Sequence, residues 1–115
     1  METAGASIST LDEYLDRAGV RRVHFVKMDV DGYECKVLRG GSAAFKREKP
    51  VILMELAPYL LTETGDSLDE LLDILATLGY TLTTLSGSHP LPTDPDHLRE
   101  SIPPGHSLNV FATPN

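Results

Sequence analysis

Four consecutive apolar residues, Val51-Ile52-Leu53-Met54, follow Pro50 and run straight into Glu55. No polar residue alternates with them. Such a run is the pattern of a strand covered on both faces, which is usual where helices flank a parallel sheet. A second apolar segment, Val23-His24-Phe25-Val26-Lys27-Met28-Asp29-Val30, also ends in acid, and Asp31-Gly32-Tyr33-Glu34 follows it. Burying a carboxylate is costly unless it is paired, hydrogen-bonded or metal-bound. Acids at the ends of core strands are therefore expected to line a mouth rather than sit in a dry interior.

Helical segments punctuate these strands. Thr10-Leu11-Asp12-Glu13 has the form of a capping box, in which Thr10 accepts a backbone N–H and Glu13 reaches back. Leu11, Tyr14, Leu15 and Ala18 then share one helical face, and Gly19 closes the helix over 10–18. Tyr33 to Arg39 suits a short helix broken at Gly40-Gly41. Ser42 is placed to cap a second piece through Arg47, and Pro50 stops it. The segment from Pro58 to Gly65 reads as loop with a helical turn. Ser67-Leu68-Asp69-Glu70 repeats the capping pattern ahead of a stripe of Leu68, Leu71, Leu72, Leu75 and Leu78, with Gly79 at its end.

Tyr80 to Leu85 alternates and is rich in Thr, which predicts a strand. Residues 86–106 hold Pro90, Pro92, Pro95, Pro103 and Pro104 and predict a long loop. Ser107 to Ala112 predicts a last strand. Helix and strand thus alternate until the final pair of strands, and that order defines a layered α/β fold. The first two strands are expected to be parallel. The last two, with no helix expected between them, can pair antiparallel.

With 115 residues, the chain is bounded to one domain. Its formal net charge of −7 argues against a nucleic-acid surface, which needs clustered Lys and Arg. Arg21-Arg22 and Lys46-Arg47-Lys49 are short runs that read as solvated helix ends. Cys35 is the only cysteine, which excludes an internal disulfide and suits a reducing, cytoplasmic compartment. Its expected role is a small buried apolar group. The first residues lack the apolar core of a signal peptide, and no apolar run approaches the ~20 residues of a membrane span.

In open parallel sheets, ligands bind at the carboxyl ends of the strands. Asp29 and Glu55 close two strands that are expected to be neighbours, so both face one crevice. Lys27 shares strand parity with Asp29 and is a candidate counter-ion. Asp31 and Glu34 stand where a helix begins, where negative charge is favoured. Asp29-x-Asp31-Gly32 with Gly65-Asp66-Ser67 also resembles the motifs of haloacid-dehalogenase-like phosphatases. Tyr33 stands where that family has Thr or Val, however, and Gly65-Asp66 does not follow an apolar strand.

A second resemblance covers far more of the chain. Thr10-Leu11-Asp12-Glu13-Tyr14-Leu15, Val26-Lys27-Met28-Asp29-Val30-Asp31-Gly32-Tyr33-Glu34, Val37-Leu38-Arg39-Gly40 and Pro50-Val51-Ile52-Leu53-Met54-Glu55-Leu56 together resemble the FkbM family of S-adenosylmethionine-dependent methyltransferases. Asp31 replaces the family's usual Glu. Asn109-Val110-Phe111-Ala112 fits more loosely.

The resemblance implies a Rossmann-like methyltransferase sheet that is incomplete, with the last four strands and their helices present and the first three strands absent. Residues 1–115 would form a single partial domain, the C-terminal half of the fold. The absent part would carry the glycine-rich cofactor loop, and no Gly-x-Gly-x-Gly occurs here. Met1 lies almost directly before the recognisable region, which points to a truncated frame, a misplaced start or a complementing N-terminal half. The strand carrying Asp29 would then expose an edge open to self-association.

The implied chemistry is methyl transfer to a small-molecule or glycan hydroxyl. Asp29, Lys27 and Glu55 are the expected catalytic residues. Asp29, Val30 and Asp31 would contact S-adenosylmethionine, and Glu34 and Glu55 the acceptor. Asp29 with Glu55 offers hard oxygen ligands for Mg²⁺. His89, His97 and His106 in or beside the long loop are rival bases, whereas His24 lies at the far end of its strand. A non-catalytic, partner-binding half-domain is the alternative from a different class.

Overall fold

The computed structural model describes residues 10–87 and 89–115. Helix α1 (Leu11–Ala18) is followed by β1 (Phe25–Met28), α2 (Glu34–Gly40), α3 (Ser42–Glu48) and β2 (Val51–Leu56). Then come α4 (Pro58–Glu63), α5 (Leu68–Leu78), β3 (Tyr80–Thr83), α6 (Pro95–Glu100) and β4 (Leu108–Pro114).

Local signals set most of these boundaries. Thr10 and Glu13 form both bonds of the capping box on α1, and Gly19 ends the helix in the left-handed region. Ser67 caps α5 by accepting from the Glu70 N–H at 3.1 Å, and Gly79 closes it with φ 86°. Ser42 does not cap α3. Its first turn is capped from a distance by Asp12 of α1, whose carboxylate accepts from the N–H groups of Ala43 and Ala44, each at 3.0 Å. The α1 stripe is also narrower than its pattern: Leu11 and Leu15 are half-buried, while Tyr14 and Ala18 are exposed.

The four strands form one sheet in the order β1-β2-β4-β3. β1 and β2 are parallel, and β4 enters antiparallel between β2 and β3. The expected pairing directions of both strand pairs are met. The strand predicted over 23–30 narrows to Phe25–Met28, because Asp29 begins the turn. Tyr80 to Leu85 shortens to Tyr80–Thr83, and the last strand runs on to Pro114. The 58–65 segment is mostly helix rather than loop. The long loop contains a helix of its own, capped by Asp94, whose side chain accepts from the Asp96 N–H at 3.2 Å; position 88 of that loop lies outside the described residues.

The largest departure concerns β2. Ile52, Met54 and Leu56 are fully buried, but Val51, Leu53 and Glu55 between them are only half-buried. The apolar run is therefore not covered on both faces. Leu38, Phe45, Leu71, Leu75 and Leu78 from the helices pack with Met28, Ile52, Met54, Val110, Ala112, Tyr80 and Leu82 into one core on one face of the sheet. Each fully buried Leu there contributes about 1.5–3 kcal/mol. The other face carries Phe25, 54% exposed, with Lys27, Leu53, Asn109 and Phe111.

Polar clamps fix the helices over the closed face. Asp66 receives Lys36 at 2.7 Å and Arg39 at 3.4 Å, and Arg39 also reaches Glu70 at 2.8 Å, which ties α2 to α5. Lys49, read as a solvated helix end, instead donates to the Leu78 carbonyl at the end of α5. Tyr80 Oη donates to the Pro50 carbonyl at 2.6 Å. Cys35 is fully buried as expected, and burial pushes its thiol up to about 11.

Candidate active site

The site begins at the turn that follows β1. Tyr33 N–H donates to the Val30 carbonyl at 3.2 Å, and the two residues between them, Asp31 and Gly32, have φ of 49° and 97°. Positive φ at both central positions is the mark of a type I′ turn. Asp tolerates that conformation better than most residues. Gly32 is required twice over, because a Cβ there would lie 2.4 Å from the carbonyl oxygen of Leu60 in α4. Thr64 Oγ1 donates to the Gly32 carbonyl at 2.7 Å. The corner after α4 therefore clamps the turn that carries the acids.

Strand register decides which acids meet. Met28 lies opposite Met54 in the parallel β1–β2 pair, so the next residues, Asp29 and Glu55, come out level. β4 adds Asn109 opposite Glu55 and Phe111 opposite Leu53. Lys27, Asp29, Leu53, Glu55, Leu85, Asn109 and Phe111 line one open groove of about 560 Å³ on the uncovered face, with backbone neighbours Met28 and Met54. Asp29 and Asn109 are exposed and Glu55 is half-buried. Among the described residues, the side chains of Lys27, Asp29, Glu55 and Asn109 make no hydrogen bond or ion pair within the chain. Lys27 is thus not the counter-ion of Asp29.

Glu34 differs from the other acids. It is the first residue of α2 and only 3% exposed, the single buried charged residue among those described. Gly32 N–H donates to its carboxylate at 3.4 Å. Burial raises its pKa, backbone hydrogen bonds oppose that rise, and the nearby charges of Asp31 and Glu55 add to it. The expectation that all the acids escape the interior fails here, because α2 folds back under the turn and carries Glu34 inward. Val30 is half-buried against the core, and Asp31 is exposed outside the groove.

The rival residues disperse. His97 pairs with Asp94 at 2.7 Å near the start of α6, His106 borders a different cleft beside Pro58 and Tyr59, and His89 lines neither. Asp66 is held by Lys36 and Arg39 away from the groove, which leaves the phosphatase-like pattern without its second motif. Among the described residues, no group of three or more His, Cys, Asp or Glu is placed to hold a metal ion. No described helix is long and apolar enough to cross a membrane.

Asn109, Phe111 and Leu85 entered the sequence reading only as strand residues, not as site residues. Asn109 opens a strand, the wrong end for a ligand site in a parallel sheet. Only the antiparallel insertion of β4 carries it to the carboxyl end of β2.

A parallel strand pair with level acids at its carboxyl ends defines an α/β protein with an open groove at the sheet mouth. The profile of the methyltransferase FkbM domain matches residues 2–82, and the chain belongs to this family. The mixed four-stranded sheet is compatible with part of a methyltransferase-like fold. No curated protein and no solved structure gives a significant match. The match ends in β3, so α6 and β4 lie beyond it.

Proposed function

We propose that this chain supplies the acceptor-side half of an S-adenosylmethionine-dependent O-methyltransferase acting on a small-molecule or glycan hydroxyl. The observation that carries the reading is the level placement of Asp29 and Glu55, both without side-chain partners among the described residues, over an apolar floor. S-adenosylmethionine supplies an already activated methyl group when bound, so the protein's task is alignment and proton handling. Asp29, with the backbone of Val30 and Asp31, would form one wall for the cofactor. An acceptor hydroxyl must lose its proton on methylation, and the Glu55 carboxylate would accept it. Glu34 bears on the acceptor side indirectly, by holding the turn. Lys27 would balance negative charge in the groove. A Mg²⁺ ion would draw on Asp29 and Glu55, with acceptor and waters completing its shell.

The residues present fit one side of a cofactor site, because the sequence holds no glycine-rich loop. We therefore infer that the chain is inactive alone and gains activity with a complementing N-terminal half. The test mixes it with that half of a complete FkbM-family enzyme. Calorimetry should detect S-adenosylmethionine binding only in the mixture, and Asp29→Asn should remove methyl transfer to hydroxyl acceptors. Transfer that is indifferent to Asp29→Asn overturns the reading, and loss of transfer with a chelator would assign the metal.

A second reading, a non-catalytic partner-binding half-domain, is favoured by the edge of β1, which among the described residues pairs with β2 alone. Sedimentation that shows stable self-association without cofactor binding in any mixture would favour it.

A further inference from the structure

Asn109 and Glu55 face each other across the β2–β4 pair. Directly opposed residues on antiparallel strands have Cβ atoms about 4.5–5.5 Å apart. Several acids elsewhere in this protein are engaged: Asp12 caps α3, Asp66 holds two cations, and Glu70 holds Arg39. At the mouth, by contrast, an amide and two carboxylates stand together with no partner among the described residues.

We propose that Asn109 is a specificity-determining residue that, with Glu55, selects a ligand bearing adjacent hydroxyls, of the polyol or sugar-ring class. The assignment of that ligand as a methyl acceptor rests on the proposed function; its binding does not.

The chemistry of the pair carries the choice. A carboxylate only accepts hydrogen bonds, whereas an Asn amide both donates and accepts. Neighbouring hydroxyls on a ring also each donate and accept. One can donate to Glu55 while its neighbour takes the Asn109 N–H, and the Asn109 carbonyl remains for a second donor. A monohydric alcohol leaves half of this set unused, and an amine cannot take the Asn109 donor once it is charged. The floor suits the same class, since Phe111 and Leu53 sit two residues behind the polar row on the same face and offer an apolar surface to the C–H face of a ring. A groove of about 560 Å³ has room for such a ring. Asn109 lies outside the region matched by the family, so the selection belongs to this chain's own β4.

The test is a ¹H–¹⁵N NMR titration of the full chain with methyl α-glucopyranoside and inositol, with propanol and propylamine as controls. The polyols should shift the Asn109 side-chain amide pair saturably and the controls should not. Asn109→Leu should weaken polyol binding at least tenfold while the melting temperature stays near wild type, as its exposure implies. Asn109→Asp, which keeps the shape and loses the donor, should fall between. No saturable shift with either polyol, or equal affinity in Asn109→Leu, overturns the proposal. Polyol binding in a protein that never supports methyl transfer would sink the methyltransferase reading and leave this site standing. Transfer with an acceptor preference unchanged by Asn109→Leu would do the reverse.

Discussion

On one face of the sheet, Met28, Ile52, Met54, Val110 and Ala112 meet the leucines of α5 and are closed from water. On the other, Phe25 and Leu85 stay more than half exposed, and Lys27, Asp29 and Asn109 remain in solvent. The edges differ in the same way. The outer edge of β3 is engaged by the returning segment, with Thr84 N–H donating to His89 at 3.1 Å and Leu91 N–H to Leu82 at 2.9 Å. Among the described residues, the outer edge of β1 has no strand beside it. One face holds the molecule together and the other keeps its polar groups available. In a chain this small, both tasks fall to alternate residues of the same strands.

The comparison breaks first if the faces prove equal in stability. Leu75→Ala, on the closed face, should cost about 2–5 kcal/mol in urea unfolding. Leu53→Ala, its counterpart in the groove, should cost only about 1 kcal/mol, because part of the side chain already meets water. Equal losses would mean that the groove is filled in solution.

A smaller effect separates the two kinds of acid. Lys36 and Arg39 hold the pKa of Asp66 down, chiefly by the Lys36 hydrogen bond. Its contribution is present above its unfolded pKa and is lost as pH falls through the lower folded value. Glu34 has the opposite sign. Its folded pKa is raised by burial, so its stabilising effect is complete below the unfolded value and is lost as pH rises through the folded one. Glu34→Gln should therefore raise the unfolding midpoint at neutral pH and leave it unchanged at pH well below 4, as followed by thermal melts across pH. A fall at neutral pH would show that the charged form is needed at the turn.

Removing the remote cap should cost about as much as an ordinary N-cap. Asp12→Ala should destabilise by about 0.5–2 kcal/mol, whereas Ser42→Ala should be nearly silent. The reverse order would restore the sequence-based assignment of Ser42. Least of all, His97→Ala should stay within about 0.5 kcal/mol in the same assay, because its ion pair is exposed.

Much of this was legible in the residues. Thr10, Glu13, Gly19, Ser67 and Gly79 marked helix ends because caps act over three or four residues. Asp29 and Glu55 could be brought together because parallel neighbours with similar lead-ins end level. The same short range explains the misses. Ser42 looked like a cap because the true acceptor for the Ala43 N–H, the Asp12 carboxylate, lies 31 residues away. The 58–65 and 95–100 helices lacked long apolar stripes and showed themselves only through Pro at their starts.

By itself the sequence determined the four strands and the helices other than α4 and α6, many of their ends, the parallel pairing of the first two strands and the acids that leave them. Those follow from periodicity, capping and turn chemistry, which are local. Tertiary structure alone decided that Val51 and Leu53 lie on a face left uncovered, that Glu34 turns inward, and that Asn109 joins the acids. Each of those outcomes depends on which distant element packs against a face, and an alternating or continuous apolar pattern does not encode the identity of its partner.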